Sequence, residues 1–317
     1  MTDNGELHVV FGTGPVGLAV TDELVQRGRR VRMVNRSGGT RVPHGVEVAG
    51  GDATDANFAR EASAGASVVY FALNPPYNQW PELFPPLQVG VIEGAAAAGA
   101  KLVAMENLYM YSPTDGRPLT EDLPYAANTR KGKVRARMSQ ELMEAHTGGR
   151  VRVAIGRASD FFGPRVLASA AGEQVFGRAV KGKSAQVVGD PDQPHTYTYA
   201  PDIGRGLVIL GEREEALGRA WHLPSPETVT TREFVEMIFE VVGKPTRVQA
   251  APKILLRALG VFNPALREII EMLYEFEEPF AVDHSDFTRT FGGHATPLGE
   301  SVRETVRWYR EHRLRGR

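Results

Sequence analysis

The chain has 317 residues, of which 42% are hydrophobic and 24% are charged, and its formal net charge is −1. This composition is typical of a globular protein with one or two domains, and the balanced charge excludes a global field that would attract nucleic acid or an anionic membrane. The absence of cysteine excludes disulfides, thiolate metal sites and cysteine nucleophiles.

The chain carries no targeting signal that we recognise. No apolar run reaches the length of a transmembrane helix, and too few residues precede the first apolar strand for a signal peptide. We therefore expect a soluble, cytoplasmic protein whose partner is a small molecule. The 8 histidines have no metal-ligand spacing, so no metal site is predicted.

The N-terminal residues predict a strand, a glycine turn and a helix. LHVVF (7–11) is an apolar run, GTGPVG (12–17) follows it, and LAVTDELVQRG continues at helical spacing. VRMVNRS (31–37) then predicts a second strand. This unit of about 30 residues matches a dinucleotide-binding βαβ motif.

Each glycine of this turn has a separate role in the predicted cofactor site. Gly12 permits the tight turn, Gly14 lets the backbone approach a pyrophosphate, and Gly17 lets the helix pack against the strand. The helix N-terminus, with Pro15 and Val16, offers free N–H groups and a partial positive charge to the phosphates. We therefore predict that these five residues contact the cofactor.

The end of the second strand indicates which cofactor is bound. NAD-selective folds place an acidic residue there to bind both ribose hydroxyls, whereas this chain has Asn35 and Arg36. A neutral amide beside a guanidinium suits a 2′-phosphate. We therefore predict NADP(H), with NAD(H) as the alternative; the other interpretation is that Arg36 is merely solvated.

Further strands alternate with helical segments. They are GVEVAG (45–50), SVVYFAL (67–73), KLVAM (101–105) and VRVAIG (151–156). The alternation predicts an α/β fold with a Rossmann-type, doubly wound parallel sheet, in which ligands bind at the carboxyl ends of the strands. We expect Asp52 to accept from an adenine amino group, with Ala53 beside it, and Leu73 and Asn74 to lie near the nicotinamide.

Taken in order, later stretches resemble the extended short-chain dehydrogenase/reductases, the NAD(P)-dependent epimerase/dehydratase family. GRASDFFGPRV (156–166) resembles the family's R-P-G-N-V-Y-G-P segment, and TYTYAPDIGRGLVIL (196–210) resembles its V-H-V-D-D-V-A-x-A segment. GRAWHLPSPETVTTREFVEMI (218–238) resembles its G-x-x-Y-N-V-G segment. The resemblance extends over about residues 7–238.

The resemblance also implies a division into two domains. The cofactor domain would comprise residues 1–165 and 197–222. A smaller, mostly helical substrate domain would comprise 166–196 and 223–317, with amphipathic helices in EFVEMIFEVVG and ALREIIEMLYEF. The substrate would lie in the cleft between the two domains. A homodimer is what the family suggests.

The chain departs from the family at the catalytic positions. The usual Ser or Thr after the fifth strand aligns with Asn107, and the usual Tyr-x-x-x-Lys aligns with Thr129 and Lys133, so the tyrosine is missing. The resemblance implies that Lys133 binds the nicotinamide ribose; the alternative is a surface lysine. Lys131 is expected to point elsewhere and Arg135 to lie on a solvated face.

A phenol is the candidate proton donor. Tyr109 occupies the place of the acidic Glu of the sugar-nucleotide dehydratases, so we predict Tyr109 as proton donor and Asn107 as a hydrogen-bond donor to the developing oxyanion. The alternative for Tyr109 is an aromatic wall. Leu108, which cannot act as an acid, argues against dehydratase chemistry, and Asp160 argues against a diphosphate substrate.

These features predict an NADP(H)-dependent oxidoreductase that reduces or oxidises a small-to-medium apolar carbonyl or enone. An aromatic or apolar substrate is suggested by side chains around the expected cleft, namely Tyr77, Trp80, Met105, Phe161 and Phe162. A non-catalytic NAD(P) sensor of the NmrA-like kind and a nucleotide-sugar epimerase are the alternatives.

Overall fold

The fold is built on a seven-stranded sheet, as seen in a computed structural model that describes residues 5–111, 113–251, 268 and 270–315. The strands are β1 (Leu7–Phe11), β2 (Arg30–Asn35), β3 (Glu47–Gly50), β4 (Ala66–Phe71), β5 (Lys101–Glu106), β6 (Arg152–Arg157), β7 (Phe161–Phe162), β8 (Ala185–Val188), β9 (Pro194–His195), β10 (Thr198–Tyr199), β11 (Ala220–His222), β12 (Val229–Thr230) and β13 (Val248–Ala251).

The described α-helices follow the predicted alternation. They are α1 (Pro15–Gln26), α2 (Ala56–Ser63), α3 (Trp80–Ala98), α4 (Arg130–Thr147), α5 (Arg178–Val180), α6 (Ala200–Glu212), α7 (Thr231–Val242), α8 (Ser285–Phe291) and α9 (Leu298–Arg315).

The main sheet has the order β3-β2-β1-β4-β5-β6-β11, and every neighbouring pair is parallel. The prediction of a doubly wound α/β fold is therefore confirmed. The strand order reverses between β1 and β4, so the connections that follow these two strands lead away from each other. The crevice left between them, at the carboxyl ends of the strands, is where such sheets bind ligands.

Helices cover both faces of this sheet, which explains why its strands are apolar on both sides. Along β1, Val9 and Phe11 belong to the core formed with α3 and α4. Val10, which points to the opposite face, belongs to the core formed with α1 and α6. The sheet is thus buried between two helical layers, and its loops at the carboxyl edge carry the polar residues.

A second core lies beyond β7 and contains many aromatic rings. Phe162 stacks on Phe176, and Phe234 packs against both rings. This core joins a π-helical segment (172–177) to α7 and α9. Helix α7 was predicted from the sequence EFVEMIFEVVG, and its capping box of Thr230 and Glu233 fixes its start.

The predicted helix in ALREIIEMLYEF is only partly described. Residues 265–267 and 269 lie outside the described residues, and Leu273–Phe276 forms a 3₁₀ turn.

The predicted domain boundaries stay a prediction, although residues 197–222 do supply β11 to the main sheet and α6 to its α1 side. Within the described ranges, no helix has both the length and the apolarity needed to cross a membrane.

Candidate cofactor and active site

The glycine turn after β1 leaves one open space beside the backbone. Gly12 has φ +120°, and a Cβ there would lie 2.4 Å from the carbonyl oxygen of Ala72. A Cβ at Gly17 would lie 2.1 Å from the carbonyl oxygen of Gly12, whereas a Cβ at Gly14 would meet nothing within 4 Å. Two glycines therefore serve backbone packing, and the third faces free space that fits a pyrophosphate.

The start of α1 borders this space. Gly14 is the N-cap residue and Pro15 begins the helix, and no side chain of the described residues caps it. The N–H groups of Val16 and Gly17 therefore lie where α-helices leave donors without intrahelical partners. Such donors, together with the helix dipole, bind anions, so the turn fits the phosphates of a dinucleotide.

The end of β2 is held by the side chain of Asn35. Its Oδ1 accepts from the N–H of Gly38 at 2.7 Å, and its Nδ2 donates to Oγ1 of Thr13 at 3.3 Å. The amide thus closes the turn that follows β2 and links this turn to the glycine turn through a hydrogen bond. Arg36 is exposed, so its guanidinium is accessible to a ligand at this edge. Direct cofactor contacts by Asn35 and Arg36 stay predictions.

The loops after β3 and β4 carry the other predicted cofactor contacts. Asp52 is exposed, and its Oδ1 accepts from both N and Oγ1 of Thr54 at 2.9 Å, which lowers the pKa of Asp52. Ala53 is buried, Leu73 is half-buried and Asn74 is exposed. Leu73 and Asn74 follow β4, which flanks the crevice, whereas Asp52 and Ala53 follow β3 at the edge of the sheet. The contacts of these residues with adenine and nicotinamide stay predictions.

Helix α4 corrects the assignment of its cations. Lys131 is 0% exposed and Arg135 is 3% exposed, so the expectation that Arg135 lies on a solvated face is wrong, whereas Lys131 does point to a different face from the exposed Lys133. Residues four apart share a helix face, whereas residues two apart do not. Lys133 is accordingly exposed, and its predicted place at the nicotinamide ribose is not supported by this geometry. The start of α4 is fixed by Thr129, whose Oγ1 accepts from the N–H of Gly132.

Arg135 fixes the orientation of Asn107. Its Nε donates to Oδ1 of Asn107 at 3.2 Å, and the N–H of Tyr109 donates to the same oxygen at 3.3 Å. Because two donors meet this atom, the amide is oriented with Nδ2 on the other side. The guanidinium also donates to the carbonyl oxygen of Met105 and lies 4.8 Å from the ring centroid of Phe84. Burial lowers the pKa of Arg135, yet an arginine stays charged at neutral pH.

Lys131 is neutralised by acids from the C-terminal part of the chain. Its Nζ donates to Glu268 and, at 2.8 Å, to Glu271, whose other oxygen accepts from the N–H of Lys131 at 2.8 Å. The ammonium also lies 4.4 Å from the ring centroid of Tyr77. The first turn of α4 is therefore joined to both the loop after β4 and the segment before the Leu273–Phe276 turn.

Phenols and carboxyl groups gather beside this helix in a set that we name the phenol–carboxyl cluster: Tyr77, Tyr109, Asp160, Tyr274 and Glu275. Oη of Tyr77 lies 3.4 Å from Oη of Tyr109, and the Tyr109 ring lies 5.7 Å from that of Trp80. Burial, followed by the charge of Glu275, raises the pKa of Tyr109 well above its usual value. The phenol is therefore protonated at neutral pH.

A histidine is hydrogen-bonded to one carboxylate of the cluster. His195 Nε2 lies 3.0 Å from Oδ2 of Asp160, and its Nδ1 lies 3.2 Å from the carbonyl oxygen of Glu275. A carbonyl oxygen can only accept, so Nδ1 donates to it. A hydrogen bond between Nε2 and Oδ2 of Asp160 then requires one further proton, carried either by Nε2 or by the carboxyl group of Asp160. The ring of Phe276 stacks on the imidazole with 4.8 Å between the ring centroids, and it shields the His195–Asp160 pair from water on that side.

A buried ion pair supports the carboxyl ends of β5 and β6. Arg157 is 0% exposed, and its Nε donates to Oε2 of Glu106 at 3.0 Å. The same guanidinium donates to Oη of Tyr111 at 2.5 Å, to Oγ of Ser139 at 2.7 Å and to Oη of Tyr125. Tyr111 is buried in this network.

Sequence reasoning missed Glu275 and misplaced the cations of α4. The signal for the cations was the four-residue spacing of Lys131 and Arg135, which places both on one face of α4. Glu275 gave no comparable signal because it lies in a stretch with helical periodicity. In the described part of the chain, no group of three or more His, Asp or Glu side chains is arranged to hold a metal.

Comparisons with known proteins support dinucleotide binding and the fold. Residues 12–142 match a family model described as NAD(P)H-binding. Comparison with curated protein sequences gives no match.

Several solved structures share the whole fold. An epimerase from Methanothermobacter thermautotrophicus has a TM-score of 0.81 at 20% identity, covering 98% of this chain and 94% of its own. The UDP-N-acetylglucosamine 4-epimerase of Methanobrevibacter ruminantium has a TM-score of 0.80 at 16% identity, covering 97% and 99%. The UDP-glucuronic acid 4-epimerase of Bacillus cereus, in complex with NAD, has a TM-score of 0.76 at 15% identity, covering 96% and 97%.

The resemblance to the epimerase/dehydratase family is thus confirmed at the level of the fold. The family model begins at Gly12 and ends within α4, so it includes the glycine turn and both buried cations. Residues 12–142 are therefore an NAD(P)H-binding domain, in a chain that has the fold of these epimerases.

Proposed function

We propose that the protein is an NADP(H)-dependent oxidoreductase that reduces an uncharged, apolar carbonyl or enone. The observation that carries this proposal is the orientation of Asn107. Because Oδ1 is held by Arg135 and by the N–H of Tyr109, the Nδ2 group is the part of the amide left to donate. An amide donor beside a protonated phenol is what a developing oxyanion requires.

The cofactor is assigned to the residues around the glycine turn. Gly14, Val16 and Gly17 would hold the pyrophosphate, and Arg36 would pair with the 2′-phosphate of NADP(H). When bound, a reduced nicotinamide supplies the hydride for reduction. Asn107 and Tyr109 would donate hydrogen bonds to the substrate oxygen as negative charge develops on it.

The substrate class follows from the walls of the site. The rings of Tyr77 and Trp80 lie 4.9 Å apart, and that of Tyr109 lies beside them, so an apolar substrate gains by burial there. The carboxyl group of Asp160 would oppose a diphosphate. Two of the epimerases with this fold act on UDP-sugars by their names, but this acid favours an uncharged substrate here.

The proposal is tested with the purified protein, reduced coenzyme and a panel of ketones, aldehydes, quinones and enones. We expect oxidation of NADPH, followed by absorbance, with at least one apolar compound, and none with UDP-sugars. Epimerisation of a UDP-sugar would instead support the epimerase alternative. Tight coenzyme binding without turnover of any compound would support the sensor.

Replacing Tyr109 by Phe is expected to lower kcat by roughly 10²-fold, because the substrate oxygen loses a proton donor. Coenzyme affinity, measured by NADPH fluorescence, should not change. The control is Tyr77→Phe, which removes the neighbouring hydroxyl but leaves the Tyr109 phenol in place, and which should have a much smaller effect. A Tyr109→Phe variant with the wild-type kcat would refute the assignment.

Replacing Arg36 by Ala is expected to raise the Kd for NADPH by roughly 10–100-fold, because a charge-assisted bond to the 2′-phosphate contributes about 1.5–3 kcal/mol. The Kd for NADH should not change. Arg137→Ala, which removes an exposed arginine from α4, is the control for net charge. Equal losses of NADPH and NADH affinity would contradict the predicted NADP(H) preference.

A further inference from the structure

Arg135 is a buried cation that forms no ion pair with any acid of the described residues. It is 3% exposed. Its guanidinium donates instead to two neutral oxygens, Oδ1 of Asn107 and the carbonyl oxygen of Met105, both at 3.2 Å. The ring centroids of Phe84 and Trp80 lie 4.8 Å and 5.9 Å from its central carbon. The positive charge is therefore held in place by neutral acceptors and aromatic faces.

The acid whose charge acts on Arg135 is already paired with another cation. This acid is Glu106, at the end of β5, and its Oε2 lies 3.0 Å from Nε of Arg157. The charge of Arg157 opposes that of Arg135. Two buried arginines and one buried glutamate thus leave one positive charge in excess. Burying an unpaired charge is costly, so its retention indicates that an anion approaches it during function.

The amide of Asn107 transmits the effect of this charge. Its Oδ1 accepts from Nε of Arg135 and from the N–H of Tyr109. Its Nδ2 donates to no described residue, so this group is free for a ligand. A cation at the oxygen end of an amide polarises its C=O and N–H bonds in the same sense, which strengthens the donor at nitrogen.

The polarised amide lies at the edge of the sheet where ligands bind. Asn107 is the first residue after β5, and β5 pairs with β4, which flanks the crevice. Tyr109 belongs to the same loop. The excess charge is therefore separated from the ligand side of the sheet by a single amide group.

We propose that Arg135 is a positioning residue that acts through Asn107 and supplies the charge that offsets a developing oxyanion. The inference rests on the proposed function and deepens it. Before the reaction, the guanidinium aligns the amide so that Nδ2 is free to donate. When negative charge develops on the substrate oxygen, Nδ2 binds that oxygen and the buried cation stabilises it. Both groups are in place beforehand, so hydride transfer requires no rearrangement of this part of the site.

The preference for an oxyanion can be measured without turnover. The probe is para-nitrophenol, an aromatic phenol whose phenolate absorbs visible light. The wild-type protein should bind the phenolate more tightly than the phenol, so its addition should increase the visible absorbance. Arg135→Met should weaken phenolate binding by roughly tenfold. Arg137→Met, which removes an exposed arginine of the same helix, is the matched control and should leave phenolate binding unchanged.

Turnover then tests whether Arg135 acts through Asn107. Arg135→Met should lower kcat by roughly 10–100-fold and leave the Kd for NADPH unchanged. Arg135→Lys should recover part of this loss, because lysine keeps the charge but lacks the planar fork. In an Asn107→Ala background, Arg135→Met should lower kcat no further, since the two residues form one unit. Thermal unfolding shows that each variant is folded.

A second variant tests the charge separately from the shape of the side chain. In Arg135→Ala, added ethylguanidinium should raise kcat, whereas ethylurea, a neutral molecule of similar shape, should not. An equal response to both additives would contradict an electrostatic role. This comparison uses one protein, so differences in folding between variants do not affect it.

Two further results would overturn the inference. One is phenolate binding that is no tighter than phenol binding in the wild-type protein, or that is unchanged in Arg135→Met. The other is additive losses of kcat in Arg135→Met and Asn107→Ala. If the wild-type protein prefers the phenolate through Arg135 but reduces nothing, the proposed function fails and the inference on oxyanion binding stands. If it reduces an enone and Arg135→Met keeps the wild-type kcat, the inference fails and the proposed function stands.

Discussion

Replacing Arg157 by Met is expected to lower the free energy of unfolding by roughly 3–5 kcal/mol, which is the range for removing one partner of a buried ion pair. The Glu106 carboxylate, 2% exposed, would lose its only described ion-pair partner, and its Oε1 already has no described hydrogen-bond partner. Tyr111, Tyr125 and Ser139 would also lose a donor. Urea denaturation at pH 7 measures the change directly.

The cause of this loss is the uncompensated charge, and a double variant isolates it. Glu106→Leu combined with Arg157→Met removes both charges and should recover much of the stability. Arg152→Met, on the exposed side of the same strand, should change stability by only about 0.5 kcal/mol. A double variant less stable than Arg157→Met would contradict the electrostatic explanation.

Replacing Gly17 by Ala is expected to lower the free energy of unfolding by about 3 kcal/mol, near the upper end for overpacking. The new Cβ would lie 2.1 Å from the carbonyl oxygen of Gly12 and 2.8 Å from its carbonyl carbon. Both are backbone atoms, so relief requires the glycine turn to move. Coenzyme affinity should fall together with stability, and chemical denaturation and NADPH titration measure the two effects.

Gly14→Val is the matched control, because it should separate binding from stability. A Cβ at Gly14 meets nothing within 4 Å, so stability should fall by about 1 kcal/mol or less. The side chain would occupy the space assigned to the pyrophosphate, and the Kd for NADPH should rise at least about tenfold. Unchanged affinity in Gly14→Val would refute the assigned position of the phosphates.

The fold was accessible from the sequence because it depends on local patterns. The apolar run 7–11 and the spacing of Gly12, Gly14 and Gly17 act over short distances, and the structure has the strand, turn and helix that they predict. Apolar residues on both faces of a strand indicate a sheet that is covered by helices on both faces. These signals need no knowledge of distant contacts.

The side chains of α4 were harder to predict because helical phase depends on packing. Lys131, Lys133 and Arg135 are chemically similar in sequence, and a family motif selected the wrong one. The choice is made by the aromatic rings of Phe84 and Tyr77, which receive Arg135 and Lys131, and by two acids from the C-terminal part of the chain. None of these partners is near α4 in sequence.

Glu275 could not be identified from the sequence for a related reason. An acid in a periodic stretch is normally exposed, and its burial here follows from the bonds that fasten the turn to His195 and Asp190. Burial, followed by the charge of Asp160, raises the pKa of Glu275 well above its usual value. Position within the fold, rather than residue type, causes this shift.

The order of these parts along the chain has a consequence for biosynthesis. Chains are synthesised from the N-terminus, so the glycine turn and α4 leave the ribosome before Glu268 and Glu271 are translated. Until then Lys131 lacks both of the acids that neutralise it in the folded protein. We therefore expect the first turn of α4 to reach its final packing only after the C-terminal part of the chain has been made.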